Sequence, residues 1–238
     1  PGDLINLPIG APMEKWWRIE TGFGRVYDLA DLDQVFVSGA CRYKNATVAF
    51  GYSQFGQTGL YTEKLAKGSV SYGPRNLSAG FSLSYLALGF GGGYSSLNAG
   101  SFGLGVGWRA ARWHLAAAAD DLNSPTFTVS DPPRKPRYSL HGDYVAGKTN
   151  SLHGRATFQQ DEPPQFGVGQ RIAVGRSSAL RWGFATSPFT LGGGLELGIK
   201  RGRLIYSANY HPVLGLTQML SLSYGSAMTR PEGNDGLR

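Results

Sequence analysis

The sequence has little cysteine and little charge. Of its 238 residues only Cys41 is a cysteine, which excludes an internal disulfide and a thiolate metal cluster. Charged residues make up 16% of the chain, against roughly a quarter in ordinary domains. Cys41 alternates in phase with Val35 and Val37, so we expect it to be a small buried or lipid-facing residue rather than a reactive one.

Long hydrophobic runs are also missing. The longest, around Trp113–Ala119, is far short of the roughly 18 apolar residues that a membrane-spanning helix needs. Membrane residence would therefore have to come from strands. The chain starts Pro1-Gly2-Asp3, without methionine or an apolar leader, so we expect a mature form whose signal peptide has been removed, or a truncated chain.

In a soluble protein, a net charge of +7 would suggest nucleic acid as the partner. Lysine and arginine are scattered singly, with no basic helix or clustered patch, so we predict that nucleic acid is not a partner. Scattered positive charge suits anionic headgroups. The expected partners are outer-membrane lipid and lipopolysaccharide, with other envelope or secretion-complex proteins as further candidates.

Glycine and aromatic residues are abundant, and they alternate. The chain has 35 glycines and 12% aromatic residues. In Phe102–Trp108 the large side chains take every second place and glycine takes the rest. Side chains of a strand point to opposite faces with this period. One apolar face against one small or polar face predicts a single all-β domain, a transmembrane antiparallel β-barrel.

Turn residues divide the alternation into about 14 strands, with 12 as the other possible count. About ten residues at roughly 3.3 Å each, tilted by about 40°, span roughly 25 Å, the height of the apolar band of such barrels. The predicted strands are 16–27, 33–43, 46–55, 60–72, 76–88, 97–110, 112–120, 136–146, 149–159, 165–175, 178–186, 190–200, 203–211 and 216–225.

Segments outside the alternation divide the chain further. Residues 1–15 are predicted to form an N-terminal segment that plugs the lumen or lies on the rim, followed by the barrel at 16–225 and an exposed tail at 226–238. The proline-rich stretch Asp121–Arg137 is expected to be an extracellular loop or a plug, and Gly89–Ser96 a second longer loop.

The phase of the alternation predicts which side chains face lipid. Aromatic residues near strand ends are expected in interfacial girdles, because amphipathic rings prefer headgroup depth. The predicted lipid-facing and girdle residues are Phe102, Leu104, Val106, Trp108, Trp113, Leu115, Trp182, Phe184, Leu195, Leu197, Ile199, Tyr206, Tyr210, Leu220, Leu222 and Tyr224.

The opposite face collects the titratable residues, because a charge at the lipid midplane costs about 2–4 kcal/mol. Arginine outnumbers the acids there, so an open lumen should prefer anions. Arginine–carboxylate pairs across the wall, or a tucked N-terminus, would instead close it. The predicted lumen-lining residues are Arg18, Glu20, Arg42, His114, Asp120, His141, Asp143, His153, Arg155, Arg171, Arg181, Glu196, Arg203 and His211.

Two Ser-Leu-His-Gly repeats, Ser139–Gly142 and Ser151–Gly154, lie on expected neighbouring strands. A turn centred on Lys148 would set Asp143 opposite His153, and one centred on Thr149 would set Asp143 opposite Arg155. A Ser/His/Asp hydrolase is conceivable, but the inward phase favours a lumenal polar network. The four histidines lie mostly on non-adjacent strands, so we predict no metal site and no cofactor.

The C-terminal part of the sequence resembles a known superfamily. Its segments Arg181–Phe184, Leu191–Glu196, Tyr206–Gly215 and Leu220–Tyr224 are similar to the last strands of PorV-type proteins, and Ala118–Pro125 to a strand exit in that family. These proteins belong with the FadL-like outer-membrane β-barrels. The resemblance implies a fourteen-stranded barrel that takes up hydrophobic molecules, as in FadL, or serves a secretion machine, as in PorV.

The expected function is non-enzymatic. We predict a bacterial outer-membrane barrel that gives passage to, or docks, a small ligand. The alternative is a closed structural barrel that anchors a larger secretion or cell-surface complex. A lipid hydrolase in the barrel wall is the third hypothesis.

Overall fold

The structure, a computed structural model, describes residues 17–74, 76–92, 94–128 and 130–226. The predicted N-terminal segment 1–15 and all but the first residue of the predicted tail lie outside the described residues. In the described part of the chain, no helix is both long enough and apolar enough to cross a membrane.

Fourteen antiparallel strands close into one barrel, in which each strand pairs with its neighbours in sequence and β1 pairs with β14. The prediction of a single all-β barrel with 14 strands is confirmed, and every predicted strand end lies within two residues of the observed one. The strands are β1 Trp17–Arg25, β2 Asp33–Tyr43, β3 Ala46–Gln57, β4 Tyr61–Tyr72, β5 Leu77–Phe90, β6 Leu97–Arg109, β7 Trp113–Asp120, β8 Arg137–Val145, β9 Asn150–Gln159, β10 Gln165–Val174, β11 Ser178–Ala185, β12 Thr190–Ile199, β13 Gly202–His211 and β14 Gly215–Gly225.

Apolar side chains lie on the outside of this barrel. Residues that face each other across an antiparallel ladder point to the same side. The register of the paired strands therefore assigns each residue to the inner or the outer face of the barrel. The sixteen residues predicted to face outward share the outer face, and fifteen of them are between 40% and 56% exposed. Phe102 is the half-buried member, because its ring stacks on Phe81 with centroids 6.2 Å apart.

The two rims of the barrel differ. Six connections of two to four residues lie at one rim, together with the start of β1 and the end of β14. We call this the short-turn rim. The opposite, long-loop rim carries seven connections, of which the longest is the 16-residue segment between β7 and β8.

Outward aromatic residues form a ring at the short-turn rim. The ring of Trp17 lies 5.6 Å from that of Tyr224, and the ring of Trp113 lies 4.5 Å from that of Tyr144. Tyr43, Tyr72 and Trp108 occupy matching places at the ends of their strands. Trp182, predicted as a lipid-facing or girdle residue, lies on the outer face in the middle of β11, away from both rims, and its Nε1 donates to Gln170 Oε1 at 2.8 Å.

A buried ion pair ties β4 to β7 across the barrel interior. Lys67 Nζ donates to Asp120 Oδ1 at 2.7 Å, and these side chains are 5% and 7% exposed. Arg137 Nη2 lies 3.7 Å from the other oxygen of Asp120. The next residue, Asp121, accepts a hydrogen bond from Ser101 Oγ at 2.5 Å. These contacts occupy one side of the lumen, next to the loop that joins β7 to β8.

Replacing Lys67 tests the strength of this pair. Lys67→Met should lower the free energy of unfolding by about 3 kcal/mol or more, because it leaves a carboxylate buried without its main partner. Urea unfolding of the refolded protein in detergent measures the effect. Lys64→Met, on the exposed face of the same strand, is the matched control and should cost nothing. Equal behaviour of the two variants would show that the pair contributes no stability.

Candidate functional site

A cavity of about 600 Å³ lies against the inner wall of strands β5 to β13. Asn76 and Arg109 line it at the short-turn rim, and Ala185 and Thr190 line it at the long-loop rim. Sites for small molecules typically measure about 300–1,000 Å³. The cavity therefore has the volume for a small ligand and borders both ends of the barrel.

Glycine makes the floor of this cavity. Gly169, Gly183 and Gly192 face one another in a single row across β10, β11 and β12. Gly167 and Gly194 lie on the same face in the adjoining rows, and all five residues line the cavity. We call these five residues the glycine floor. Since they have no side chains, they leave this part of the inner wall open, except at Gly192, over which the side chain of Asn209 lies.

A cluster of arginines lies beside the floor and surrounds one buried carboxylate. Glu196, which is 3% exposed, accepts hydrogen bonds from Arg171 (Nε 3.1 Å, Nη2 3.0 Å) and from Arg181 (Nε 3.1 Å, Nη2 2.7 Å). Arg203 Nε lies 3.0 Å from the same carboxylate. Arg171 and Arg181 alone exceed the charge of Glu196 by one positive unit. The carboxylate holds these guanidinium groups in fixed positions.

A second polar group lies on β8 and β9, where Asp143 is opposite His153 and His141 is opposite Arg155. This is the register expected for a turn centred on Lys148. His153 Nδ1 lies 2.6 Å from Asp143 Oδ1, and His153 Nε2 lies 3.1 Å from Ser151 Oγ. Serine, histidine and aspartate are thus connected in the order of a catalytic triad, on the inner face of the wall.

The remaining predicted lumen residues also have inward positions in the register, but several lie away from the cavity. Arg18 donates to Glu20 at 2.7 Å. Arg42 Nε donates to the carbonyl oxygen of Lys44 at 3.0 Å. His211 Nδ1 accepts from the backbone amides of Val213 and Leu214, both at 3.1 Å.

Lys67 is one of the interior charged residues that the sequence analysis missed, together with Arg109 on the cavity wall and Arg137 beside Asp120. For Lys67, the alternation with Ser69 and Ser71, both buried, was the available signal. The glycine floor and the polar cavity residues Ser207 and Asn209 were missed as well. Within the described ranges, no three His, Cys, Asp or Glu side chains are grouped so that they could hold a metal ion.

Comparison with known proteins identifies the fold but not a family. No protein-family model matches the chain, and no curated protein matches it. Solved structures do match. The CymD monoaromatic hydrocarbon channel is 10% identical with a TM-score of 0.68, and the match covers 95% of this chain and 93% of CymD.

Two further structures share the architecture. The outer membrane protein Omp33 of Acinetobacter baumannii is 13% identical with a TM-score of 0.59, over 91% of this chain and all of Omp33. A triple mutant of the Rhodopseudomonas blastica porin is 10% identical with a TM-score of 0.51, over 88% of this chain and 98% of the porin. The likeness to PorV-type proteins stays a prediction. The chain has the fold of an outer-membrane β-barrel.

Proposed function

We propose that this protein is an integral outer-membrane barrel that gives passage to a small ligand and does not act as an enzyme. The cavity that borders both rims carries this proposal, since a solute that enters at one rim meets open volume towards the other. The names of the similar structures, a channel and a porin, support it. A closed barrel that anchors a secretion or cell-surface complex, as the likeness to PorV-type proteins implies, is the alternative.

The outer surface supports a membrane location. Leu195 and Leu197 are 52% and 47% exposed on a face that is apolar from strand to strand. The aromatic ring at the short-turn rim has the position of an interfacial girdle. Barrels of the outer membrane have short periplasmic turns and longer extracellular loops. We therefore place the short-turn rim in the periplasm and the long-loop rim outside the cell.

The charges around the cavity favour an anion as the solute. Arg109, Arg155 and Arg181 line it, while Asp143 is the acidic residue among the described lining residues. Rings of basic side chains select anions in pores. The cluster on Glu196 adds positive charge beside the same wall.

Single-channel recording in planar bilayers tests the proposal. Purified protein should insert and give a steady conductance whose reversal potential in a potassium chloride gradient shows preference for chloride. Arg181→Gln should reduce this preference, because it removes a positive charge from the cavity wall. Arg176→Gln makes the same charge change in the β10–β11 turn, outside the cavity, and should leave the preference intact. Stable insertion without conductance would contradict passage and favour the anchoring alternative.

Acyl hydrolysis is a second candidate function, favoured by the hydrogen bonds that join His153 Nδ1 to Asp143 Oδ1 and His153 Nε2 to Ser151 Oγ. The ladder occupies the strand backbone amides, so a developing oxyanion would have to rely on a side chain. Arg171 lies directly opposite Ser151 on the same face and could serve.

A fluorophosphonate probe separates the two candidates. If Ser151 is a nucleophile, the probe should label the folded protein, Ser151→Ala should abolish labelling, and Ser139→Ala in the other Ser-Leu-His-Gly repeat should not. Absence of labelling in the unaltered protein would assign these three side chains to a polar network of the lumen.

A further inference from the structure

We propose that the glycine floor and Arg181 form a binding site for a small planar anion, of the class of aromatic carboxylates. This inference rests on the proposed passage function and names the solute that the passage recognises. It uses three features of the cavity: a flat floor, a fixed cation at one side and polar side chains at both ends.

The floor is flat because three neighbouring strands present glycine in one row. Strands lie about 4.8 Å apart, and residues two apart in one strand about 6.7 Å apart, so Gly167, Gly169 and Gly183 expose peptide groups over a patch of about those dimensions. At Gly192 the amide oxygen of Asn209 lies where a Cβ atom would be, so the Asn209 side chain ends the open part of the floor. A six-membered ring fits on this patch. Glycine in a strand often marks a place where a ligand approaches the backbone closely, and here the three positions face the same cavity.

The cation lies one row away. Arg181 follows Gly183 by two residues on β11 and faces Gly194 on β12, so its Cα is about 6.7 Å from that of Gly183. Its hydrogen bonds to Glu196 hold the side chain in place. A carboxylate on a ring that lies on the floor can therefore reach the guanidinium group of Arg181, which recognises planar carboxylates well.

Polar side chains end the glycine row on both sides. His153 on β9 lies opposite Gly169, and Asn209 on β13 lies opposite Gly192. Both line the cavity. Asn209 offers hydrogen bonds to substituents at the edge of the ring, whereas both ring nitrogens of His153 already bond to Asp143 and Ser151, so His153 limits the floor at its end. A flat solute uses this arrangement better than a puckered one of the same charge.

Backbone packing explains some of these glycines but not all. A Cβ atom at Gly183 would lie 2.7 Å from the carbonyl oxygen of Val168, and one at Gly194 would lie 2.6 Å from that of Tyr206. Glycine is required there by the close approach of the strands. At Gly167 the nearest atoms would be 3.7 and 3.8 Å away, so a side chain fits the backbone. Its absence leaves room in the cavity.

Calorimetric titration of the detergent-solubilised barrel tests the site without relying on conductance. Benzoate serves as the flat probe and cyclohexanecarboxylate as the puckered probe of equal charge. We expect benzoate to bind about tenfold more tightly, a difference of about 1.4 kcal/mol, because its flat ring can lie against the glycine backbone and a puckered ring cannot. Equal affinity for the two acids, or no binding of either, would overturn the proposal.

Two valine variants locate the site. Gly167→Val should weaken benzoate binding about tenfold and remove its advantage over cyclohexanecarboxylate, because the added methyl groups occupy the floor. Gly193→Val is the matched control: this glycine belongs to the outward row, with its nearest atom 3.8 Å from an added Cβ, and the preference should persist. Unchanged binding in Gly167→Val would contradict the site.

Arg181→Gln tests the cation. This variant should bind both acids about tenfold more weakly, which corresponds to the loss of one charge-assisted hydrogen bond. The readouts separate this proposal from the passage function. Preferential benzoate binding in a barrel without conductance would keep the site and overturn passage. Anion conductance without any preference between the acids would keep passage and overturn the site.

Discussion

The hydrogen-bonded ladder that closes between β1 and β14 is the constraint on which the rest of the structure depends. Arg18 to Arg25 pair residue by residue with Gly225 to Gln218, so the first and last strands leave no open edge. A backbone that satisfies its own hydrogen bonds around a full circle can present apolar side chains outward at no cost in unpaired amides. The same closure separates the two faces completely, and polar groups collect inside.

The interior residues fill one side of the lumen and leave the other side open. On one side Lys67 reaches Asp120 across β5 and β6, and small residues such as Ser38 and Ser82 are fully buried. On the other side the glycine floor removes side chains from three consecutive strands. The first arrangement fills space and the second leaves it open. The cavity thus follows from the composition of the inward rows.

Charge is distributed with the same asymmetry. Glu196 gathers arginines from three strands beside the floor, whereas Asp120 and Asp121 hold cations below the longest loop. In each cluster the acid is buried and the cation is more exposed, except at Lys67. Carboxylates therefore act as fixed anchors, and guanidinium groups form the surface that a solute meets.

The strands and their faces could be predicted from the sequence because both depend on a period of two residues. The 14 strand positions and the inward phase of residues such as Arg181 and Glu196 come directly from that alternation. Contacts across several strands could not be predicted in this way. The pairing of Lys67 with Asp120, 53 positions apart, depends on strand tilt and on side-chain conformation, which a local pattern does not encode. The contact of Asp143 with His153 depends on a turn centred on Lys148. The sequence pattern was equally compatible with a turn centred on Thr149, so this contact could not be predicted from it.

The most direct test of the central claim, a water-filled basic lumen inside an apolar shell, is thiol modification in lipid bilayers. Ser207→Cys, on the cavity wall, and Leu195→Cys, on the outer face, would each be made with Cys41→Ala. We predict that an anionic thiol reagent modifies Ser207→Cys faster than a cationic reagent of the same size, and that Leu195→Cys resists both. An inert cysteine at 207, or faster reaction with the cationic reagent, would contradict the claim.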